Sequence, residues 1–204
     1  MRKVIFATGN ANKVREIREI LKDLDFEIMT MKEAGVDVDI VEDGTTFEEN
    51  AMIKAKTVAQ HCEKGVYVMA DDSGLSIDYL NGEPGIYSAR YLGEDTPYSE
   101  KNQNLIGRLE GVEKEKRTAR FVCAIACIFP DGSEKALRGT IEGYIGWEGV
   151  GENGFGYDPI FYVDEYGCTT AQMSPEQKNA ISHRGKALRM MREEIIKYEN
   201  ISGK

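Results

Sequence analysis

The alternation of apolar and polar positions divides the chain into short strands and amphipathic helices. "KVIFATGN" is rich in β-forming residues, and "ANKVREIREILKDL" places Val14 and Ile17 at helical spacing directly after it. The apolar run at 66–70 predicts another strand, which ends at two adjacent acidic residues, Asp71 and Asp72. A strand, a tight polar turn and a helix in this order predict an α/β fold.

A helix is predicted for "TTFEENAMIKAKTVAQHC". Thr46 at the N-cap and Glu49 three positions later form the sequence pattern of a capping box. The alanines of this segment predict the face that packs on the core. Asn50 and Lys54 share a different face, and this stretch alone favours a solvated, charged face there.

The middle of the chain is richer in β-forming residues. "ARFVCAIACIF", a "PDGS" turn and "KALRGTIEGYIGW" predict two or three antiparallel strands, and "YDPIFYV" predicts another. Helices are predicted from Ser99 to about Leu109 and over "SHRGKALRMMREEIIKY". We therefore predict one α/β domain over residues 1–204, with a second lobe mainly within about 75–150.

Composition and charge narrow the class of protein. The chain has 204 residues and a net charge of −9, which argues against nucleic acid or an anionic membrane surface as a partner. No apolar run is long enough to span a bilayer, and the four cysteines form no C-x-x-C pair. We expect a cytoplasmic protein with reduced thiols. An anionic small ligand stays possible, with a divalent metal to assist its binding.

The segment "ATGNANK" predicts an anion-binding turn. Thr8, Gly9 and Asn10 lie where a strand ends and a helix begins, so backbone N–H groups and the helix dipole favour a negative charge there. Lys13 adds a cation one turn later. A plain turn in which asparagine caps the helix is an equally good interpretation of this segment alone.

The adjacent aspartates are the second candidate site. Open α/β sheets bind ligands at the carboxyl ends of their strands, where Asp71 is predicted to lie. Carboxylate oxygens suit Mg²⁺, and one carboxylate can hold the metal while its neighbour polarises a water molecule. A solvated Asx turn is the alternative. Glu42, just before the second helix, is a further acidic candidate.

Two later segments carry aromatic and basic residues. "NGFGYDP" places Phe155 and Tyr157 around Gly156, where the two rings either form a slot for a planar base or pack in the core. "KNAISHRGKA" is predicted to lie at the head of the last helix, where basic side chains oppose the helix dipole and suggest an acceptor-rich partner. Its polar members are Lys178, Ser182, His183, Arg184 and Lys186.

Together these segments resemble the inosine triphosphate pyrophosphatase family. The matching stretches are "TGNANK", "EDGTTFEENAMIKA", "ADDSGL", "PGIYSARY", "GFGYDP" and "KNAISHRGKA", in order from residue 8 to residue 187. The resemblance implies an elongated α/β fold with a long central mixed β-sheet flanked by helices, and two lobes with the active site in the cleft between them. It also implies a homodimer that requires Mg²⁺.

The implied activity is hydrolysis of non-standard purine nucleoside triphosphates (ITP, dITP and XTP) to the monophosphate and pyrophosphate. This reaction removes them from the nucleotide pool and prevents their incorporation into DNA and RNA. The resemblance makes Asp72 the proton acceptor and, with Glu42, a metal ligand. The implied substrate contacts are Thr8, Gly9, Asn10, Ala11, Asn12, Lys13, Ser73, Phe155, Gly156, Tyr157, Asp158, Lys178, His183 and Arg184.

Arg184 also has a chemical argument of its own. Its guanidinium carries donors only, so it suits the 6-oxo acceptor of hypoxanthine or xanthine and opposes the 6-amino group of adenine. Two other functions stay open from the sequence. One is a related triphosphatase that acts on modified pyrimidines or cleaves at another phosphate, and the other is a non-catalytic nucleotide sensor.

Overall fold

The computed structural model describes residues 2–22 and 24–202. Its helices are α1 (Ala11–Ile20), α2 (Phe47–Ala59), α3 (Tyr98–Arg108), α4 (Pro175–Ile181) and α5 (His183–Ser202). Its strands are β1 (Arg2–Phe6), β2 (Phe26–Thr30), β3 (Tyr67–Ile77), β4 (Thr118–Ile128), β5 (Glu134–Ile145), β6 (Phe161–Val163) and β7 (Cys168–Thr169). Of the helices described, none combines the length and the apolar character needed to cross a membrane.

The strands within the described residues form one mixed sheet in the order β2-β1-β3-β4-β5-β6-β7. β1 pairs in parallel with β2 and with β3. β6 pairs antiparallel with β5 and with β7. The predicted α/β fold with a long mixed sheet is therefore confirmed. The elongated shape and the cleft between two lobes stay predictions.

The chain divides into two compact units. The first contains the described residues up to Asp72, Cys123–Gly139 and the residues from His183 onward, and the second contains Ser73–Val122 and Thr140–Ser182. Each unit has an apolar cluster of its own. The prediction of one domain with a second lobe mainly within about 75–150 stays a prediction.

The core of the first unit is formed by β1, β3 and β4 together with α1 and α5. Ile17 of α1 is fully buried there, as its helical spacing predicts, and so is Met191 of α5. Cys123 and Cys127 are buried in the same cluster and carry free thiols. Both cysteines therefore act as small apolar residues of β4.

The third strand is longer than the sequence predicts. β3 continues from Tyr67 to Ile77 and passes through both aspartates, so the prediction that Asp71 ends the strand is wrong. Leu75 and Ile77, beyond the acidic pair, are fully buried in the core of the second unit. The packing of these two side chains in the core stabilises the extended backbone beyond the acidic pair.

The polar face of α2 is not solvated. Asn50 is 0% exposed and Lys54 is 9% exposed, so the interpretation of this face as a charged surface is wrong. Thr46 caps the helix as predicted, because its side chain accepts from the N–H of Glu49 at 3.1 Å. The carboxylate of Glu49 accepts from the N–H of Thr45 at 2.7 Å, one residue before the position that a capping box predicts.

Two segments near the C-terminus differ from their predicted structure. In "YDPIFYV" only Phe161–Val163 forms a strand, and Asp158–Ile160 forms a 3₁₀ turn because Pro159 has no N–H for a ladder. Lys178 lies on α4 and not at the head of α5. A capping box between Ser174 and Gln177 begins α4, and the extended backbone after Ile181 separates it from α5.

Candidate active site

Asp71 and Asp72 point to opposite faces of β3, because successive side chains of a strand alternate. Both are buried. Asp71 Oδ2 lies 2.9 Å from Lys13 Nζ and 3.5 Å from Arg184 Nη2. Asp72 Oδ1 lies 3.2 Å from Lys54 Nζ. The two carboxylates therefore avoid each other, and each has its own cationic partner.

Lys54 joins the second of these carboxylates to Glu42. Its Nζ lies 2.9 Å from Glu42 Oε2, and the amide of Asn50 donates to Asp72 Oδ2 at 3.4 Å. Burial lowers the pKa of Lys54, but the charges of Asp72, Asp71 and Glu42 outweigh it and the net shift is upward. Lys54 is therefore positively charged at neutral pH among these acidic groups.

The two adjacent aspartates differ as bases. Burial raises the pKa of Asp72, and the opposing effect of Lys54 does not cancel it. Burial also acts to raise the pKa of Asp71, but the charges of Lys13 and Arg184 prevail and hold that pKa far below its ordinary range. Asp72 is thus the stronger proton acceptor of the pair, since basicity follows the pKa.

Glu42 and Asp72 also form the donor set that fits a divalent metal. Their oxygens already converge on one cation, the ammonium of Lys54. Hard carboxylate oxygens suit Mg²⁺, which commonly takes one or two carboxylates and completes its shell with water and substrate phosphate. The described part of the chain holds no group of three or more His, Cys, Asp or Glu side chains that could bind a metal. The pair therefore suits a metal shared with a phosphorylated substrate.

The turn before α1 is organised by Asn10. Its Oδ1 accepts from the N–H groups of Asn12 at 3.0 Å and Lys13 at 3.3 Å, so the interpretation as a helix cap is correct. Thr8 Oγ1 accepts from the N–H of Asn10 at 3.2 Å. A Cβ built on Gly9 would meet no other described atom within 4 Å. The backbone at Gly9 is therefore open to a ligand.

A groove of about 810 Å³ lies beside this turn, within the first unit. Thr8, Gly9 and Ala11 line one side of it, and the exposed cations Arg15 and Lys32 lie along it. Ala11 is the first residue of α1. These residues are therefore accessible from solvent on the side where cations accumulate.

Arg184 is buried at the start of α5 and pairs with two carboxylates. Its Nη1 contacts Glu16 of α1, and its Nη2 contacts Asp71 of β3. Burial acts to lower the pKa of Arg184, but Asp71 and the other neighbours raise it, so the side chain stays charged. His183, one residue earlier, is buried as well.

In the second unit, Asp158 organises the aromatic loop. It is 2% exposed, and its Oδ2 accepts from Lys178 Nζ at 2.7 Å and from the N–H of Phe155 at 2.8 Å. Its Oδ1 accepts from Thr170 Oγ1 at 2.7 Å. Gly154 is required here, because a Cβ would lie 2.1 Å from Asp158 Oδ2 and φ is +72°.

The two aromatic residues of this loop have different environments. Tyr157 is buried in the core of the second unit, where its hydroxyl donates to the carbonyl of Ser88 at 2.6 Å. Its ring meets Tyr98 edge-on at 5.2 Å between centroids. Phe155 is partly exposed, and Lys178 Nζ lies 4.9 Å from its centroid. Core packing therefore describes Tyr157, whereas Phe155 is the ring available to a ligand.

Two predicted residues of the second unit remain. Gly156 has φ of +69°, and its carbonyl accepts from the amide of Asn102 at 3.1 Å. Ser73 is partly exposed and follows the aspartates on β3. Gly156 is therefore held by a hydrogen bond from α3, and Ser73 is held by its place in β3.

The structure gathers the predicted residues into two sets. One set lies in the first unit and contains the α1 turn, Glu42, the two aspartates and Arg184. The other set lies in the second unit and joins Phe155–Asp158 to Lys178. Four further side chains complete these sets, and the sequence did not single them out as ligands or supports: Glu16, Asn50, Lys54 and Thr170. For Asn50 and Lys54 the four-residue spacing was visible, but burial of that face depends on contacts distant in sequence.

The protein has a mixed-sheet α/β fold. Its candidate site combines a carboxylate pair suited to a divalent metal with nearby lysine and arginine side chains. Together the fold and the site define the class of protein. The model of the Ham1 family matches residues 4–194. The chain therefore belongs to the Ham1 family, and the resemblance drawn from its motifs is confirmed.

Relatives match over nearly the whole chain. The dITP/XTP pyrophosphatase of Clostridium perfringens (strain 13 / Type A) is 47% identical over 199 residues, which are 96% of this chain and 98% of that protein. The dITP/XTP pyrophosphatase of Bacillus subtilis (strain 168) is 47% identical over 191 residues, 94% of this chain and 96% of that protein.

Solved structures also match over most of the chain. The Staphylococcus aureus Ham1 protein is 41% identical, with a TM-score of 0.86, 97% of this chain covered and 100% of that chain. The nucleoside-triphosphatase / dITP/XTP pyrophosphatase from Mycobacterium abscessus is 37% identical, with a TM-score of 0.74, 93% of this chain covered and 98% of that chain.

Proposed function

We propose that this protein hydrolyses the non-standard purine nucleoside triphosphates ITP, dITP and XTP to the nucleoside monophosphate and pyrophosphate. The activity would remove these nucleotides from the pool and prevent their incorporation into DNA and RNA. Relatives named dITP/XTP pyrophosphatase, at 47% identity over nearly the full length, support the substrate class. The main structural support for the reaction is that Glu42 and Asp72 both contact the ammonium of Lys54. Asp72 is also the more basic of the two aspartates.

In the proposed reaction Asp72 accepts a proton from the water that attacks the α-phosphorus. The water oxygen forms a new bond to phosphorus, the bond to the bridging oxygen breaks, and pyrophosphate leaves with that electron pair. Burial favours this role because it raises the pKa of Asp72, and Lys54 stays close enough to stabilise the ionised form.

We propose Mg²⁺ as the cofactor, held by Glu42 and Asp72. When bound, it would offset phosphate charge and polarise the reacting oxygens. The protein side of this arrangement is the fixed spacing of the two carboxylates, which Lys54 and Asn50 maintain.

The α1 turn is the proposed phosphate site. Thr8, Gly9, Asn10, Ala11, Asn12 and Lys13 would hold the triphosphate, which the open backbone at Gly9 and the helix dipole favour. Lys13 is held by Asp71, so its ammonium is oriented before substrate arrives. Preorganisation of this kind lowers the entropic cost of binding a polyanion.

The remaining residues are the proposed nucleoside contacts: Ser73, Phe155, Gly156, Tyr157, Asp158, Lys178, His183 and Arg184. Phe155 offers a partly exposed ring for stacking on a purine. Arg184 would donate to the 6-oxo group, and its two carboxylate partners, Glu16 and Asp71, set its orientation.

We also propose that the protein is a cytoplasmic homodimer whose partner is the purine nucleotide and neither nucleic acid nor membrane. Free thiols at Cys62, Cys123, Cys127 and Cys168 suit a reducing compartment. The net charge of −9 opposes binding to nucleic acid and to anionic membranes. The dimer rests on the family resemblance.

The test is pyrophosphate release from ITP, dITP, XTP, GTP, ATP and dUTP, with and without Mg²⁺, by the wild type and Asp72→Asn. We expect Mg²⁺-dependent release from ITP, dITP and XTP, and a loss in kcat of about 10² to 10⁴ in the variant. Asp164→Asn removes a carboxylate from a surface ion pair with Lys114 and serves as the control.

Three results would contradict the proposal. Orthophosphate as the product, or preferential release from dUTP, would indicate a different triphosphatase. Failure of the folded protein to act on any of these nucleotides, while ITP still raises its Tm, would indicate a sensor.

A further inference from the structure

Lys178 needs support if it is to bind a nucleotide at a fixed point. Its side chain has four rotatable bonds and ends in a compact point charge, so an unsupported ammonium samples many positions. The side chain is nevertheless buried, with Nζ 2.7 Å from Asp158 Oδ2 and 4.9 Å from the centroid of Phe155. The position of Lys178 is therefore set by Asp158.

Asp158 is in turn held by donors from other segments. Its Oδ2 accepts from the N–H of Phe155, and its Oδ1 accepts from Thr170 Oγ1 at 2.7 Å. Thr170 is 2% exposed and follows β7, so its hydroxyl comes from a segment distinct from both Phe155 and Lys178. Donors on both oxygens fix the plane of the carboxylate, which a single ion pair would leave free to rotate.

We propose that Thr170 is a positioning residue for nucleotide binding: its hydroxyl orients the Asp158 carboxylate, which holds Lys178 beside the Phe155 ring. On this inference the side chain of Asp158 acts through Lys178, since its carboxylate oxygens accept from Thr170, Phe155 and Lys178. The inference rests on the proposed function, because it assigns Lys178 to the nucleotide.

The experiment compares Thr170→Val, which keeps the shape and removes the hydroxyl, with Thr170→Ser, which keeps the hydroxyl. We expect Thr170→Val to raise KM for ITP about 10-fold, with a much smaller change in kcat, because misplacement of a binding group by a fraction of an ångström weakens its contact. Thr170→Ser should restore KM to near the wild-type value.

A matched control is available in the same unit. Thr118 Oγ1 also donates to an aspartate, Asp78 Oδ2, at 2.7 Å, but this pair is exposed. Thr118→Val therefore removes a bond of the same type and length away from the aromatic loop. We expect it to leave KM unchanged.

A double-mutant cycle separates positioning from general destabilisation. If Thr170 acts through Lys178, then Thr170→Val should raise KM in the wild type and add nothing in Lys178→Met. An unchanged KM in Thr170→Val, or an equal increase in both backgrounds, would overturn the inference. Should Thr170→Val not fold, the same cycle with Thr170→Ala decides. Absence of pyrophosphate release in the wild type would instead contradict the proposed function.

Discussion

Asp71 and Asp72 follow one another in the chain, yet their carboxylates lie on opposite sides of the sheet. Asp71 faces Lys13 and Arg184, and Asp72 faces Lys54. The cost of burying each charge is therefore offset mainly by the cations that contact it, which come from different elements. This arrangement leaves one aspartate as a structural anion with a low pKa and the other as a base with a raised pKa.

Removal of Lys54 should expose what its ammonium contributes. In Lys54→Met, Glu42 and Asp72 lose the cation between them, so without Mg²⁺ we expect a loss of about 1 to 3 kcal/mol in the free energy of unfolding. Added Mg²⁺ should raise the Tm of the variant more than that of the wild type, because the metal can replace the missing charge.

Thermal melts at increasing Mg²⁺ would measure this difference. Lys56→Met is the matched control, since Lys56 lies on the same helix and pairs with Glu134 at the surface. An equal response of all three proteins to Mg²⁺ would show that Lys54 and the metal do not share a site.

The sequence singled out the acidic, basic and aromatic segments of the two sets, because their residue types carry the chemistry. It could not identify the supports. Burial of Lys54 depends on β3, and the role of Thr170 depends on a loop twelve positions earlier, at Asp158. Contacts of this kind depend on tertiary packing, and the periodicity of a single segment carries no information about that packing.

At the scale of elements, β3 carries the largest difference from the predicted structure. Adjacent aspartates have low strand propensity, so the predicted strand ended at the acidic pair. Lysine and arginine from α1, α2 and α5 compensate both charges, and the strand continues to Ile77. The helices were predicted more closely, because a 3.6-residue period and a capping residue such as Thr46 are local features.

The start of β3 is tied to α5 through a buried phenol. Tyr67 donates its hydroxyl hydrogen to Glu199 Oε1 at 3.1 Å. Burial, and then the charge of Glu199, raise the pKa of Tyr67 far above its ordinary value. The folded state therefore prefers the protonated phenol, and this stabilisation is complete below about pH 10 and is lost as the pH rises through the folded-state pKa.

Urea denaturation between pH 7 and pH 11 would test this link between β3 and α5. We expect Tyr67→Phe to lower the free energy of unfolding by about 1 kcal/mol at pH 7, because one hydrogen bond is lost. Above about pH 10 the variant should lose stability less steeply than the wild type. Tyr79→Phe, at an exposed position, is the control. Parallel alkaline slopes in Tyr67→Phe and the wild type would contradict the assignment.

At the scale of the whole molecule, the net negative charge of the chain contrasts with the cations that lie within the first unit. The chain has 35 acidic and 26 basic residues, yet Lys54 and Arg184 are buried and Lys13 is partly buried. The surface therefore repels polyanions such as nucleic acid, while cations placed at the proposed site favour a small phosphorylated ligand.

Chelation of divalent metal should separate activity from folding. Each unit has its own apolar cluster, and Lys13, Lys54 and Arg184 already compensate the acidic pair. A metal bound only by Glu42 and Asp72 is weakly held without substrate, and at concentrations near its Kd it stabilises the fold by less than about 1 kcal/mol.

We therefore expect excess EDTA to abolish pyrophosphate release from ITP, to change the Tm by no more than about 2 °C, and to be reversed by added Mg²⁺. Calorimetry of the chelated protein would measure the Tm, and the wild type in Mg²⁺ is the reference. Because folding relies on apolar cores and internal cations, the metal should be needed only once a triphosphate supplies the remaining ligands. Unfolding on chelation would make the metal structural, and full activity in EDTA would assign the chemistry to the side chains alone.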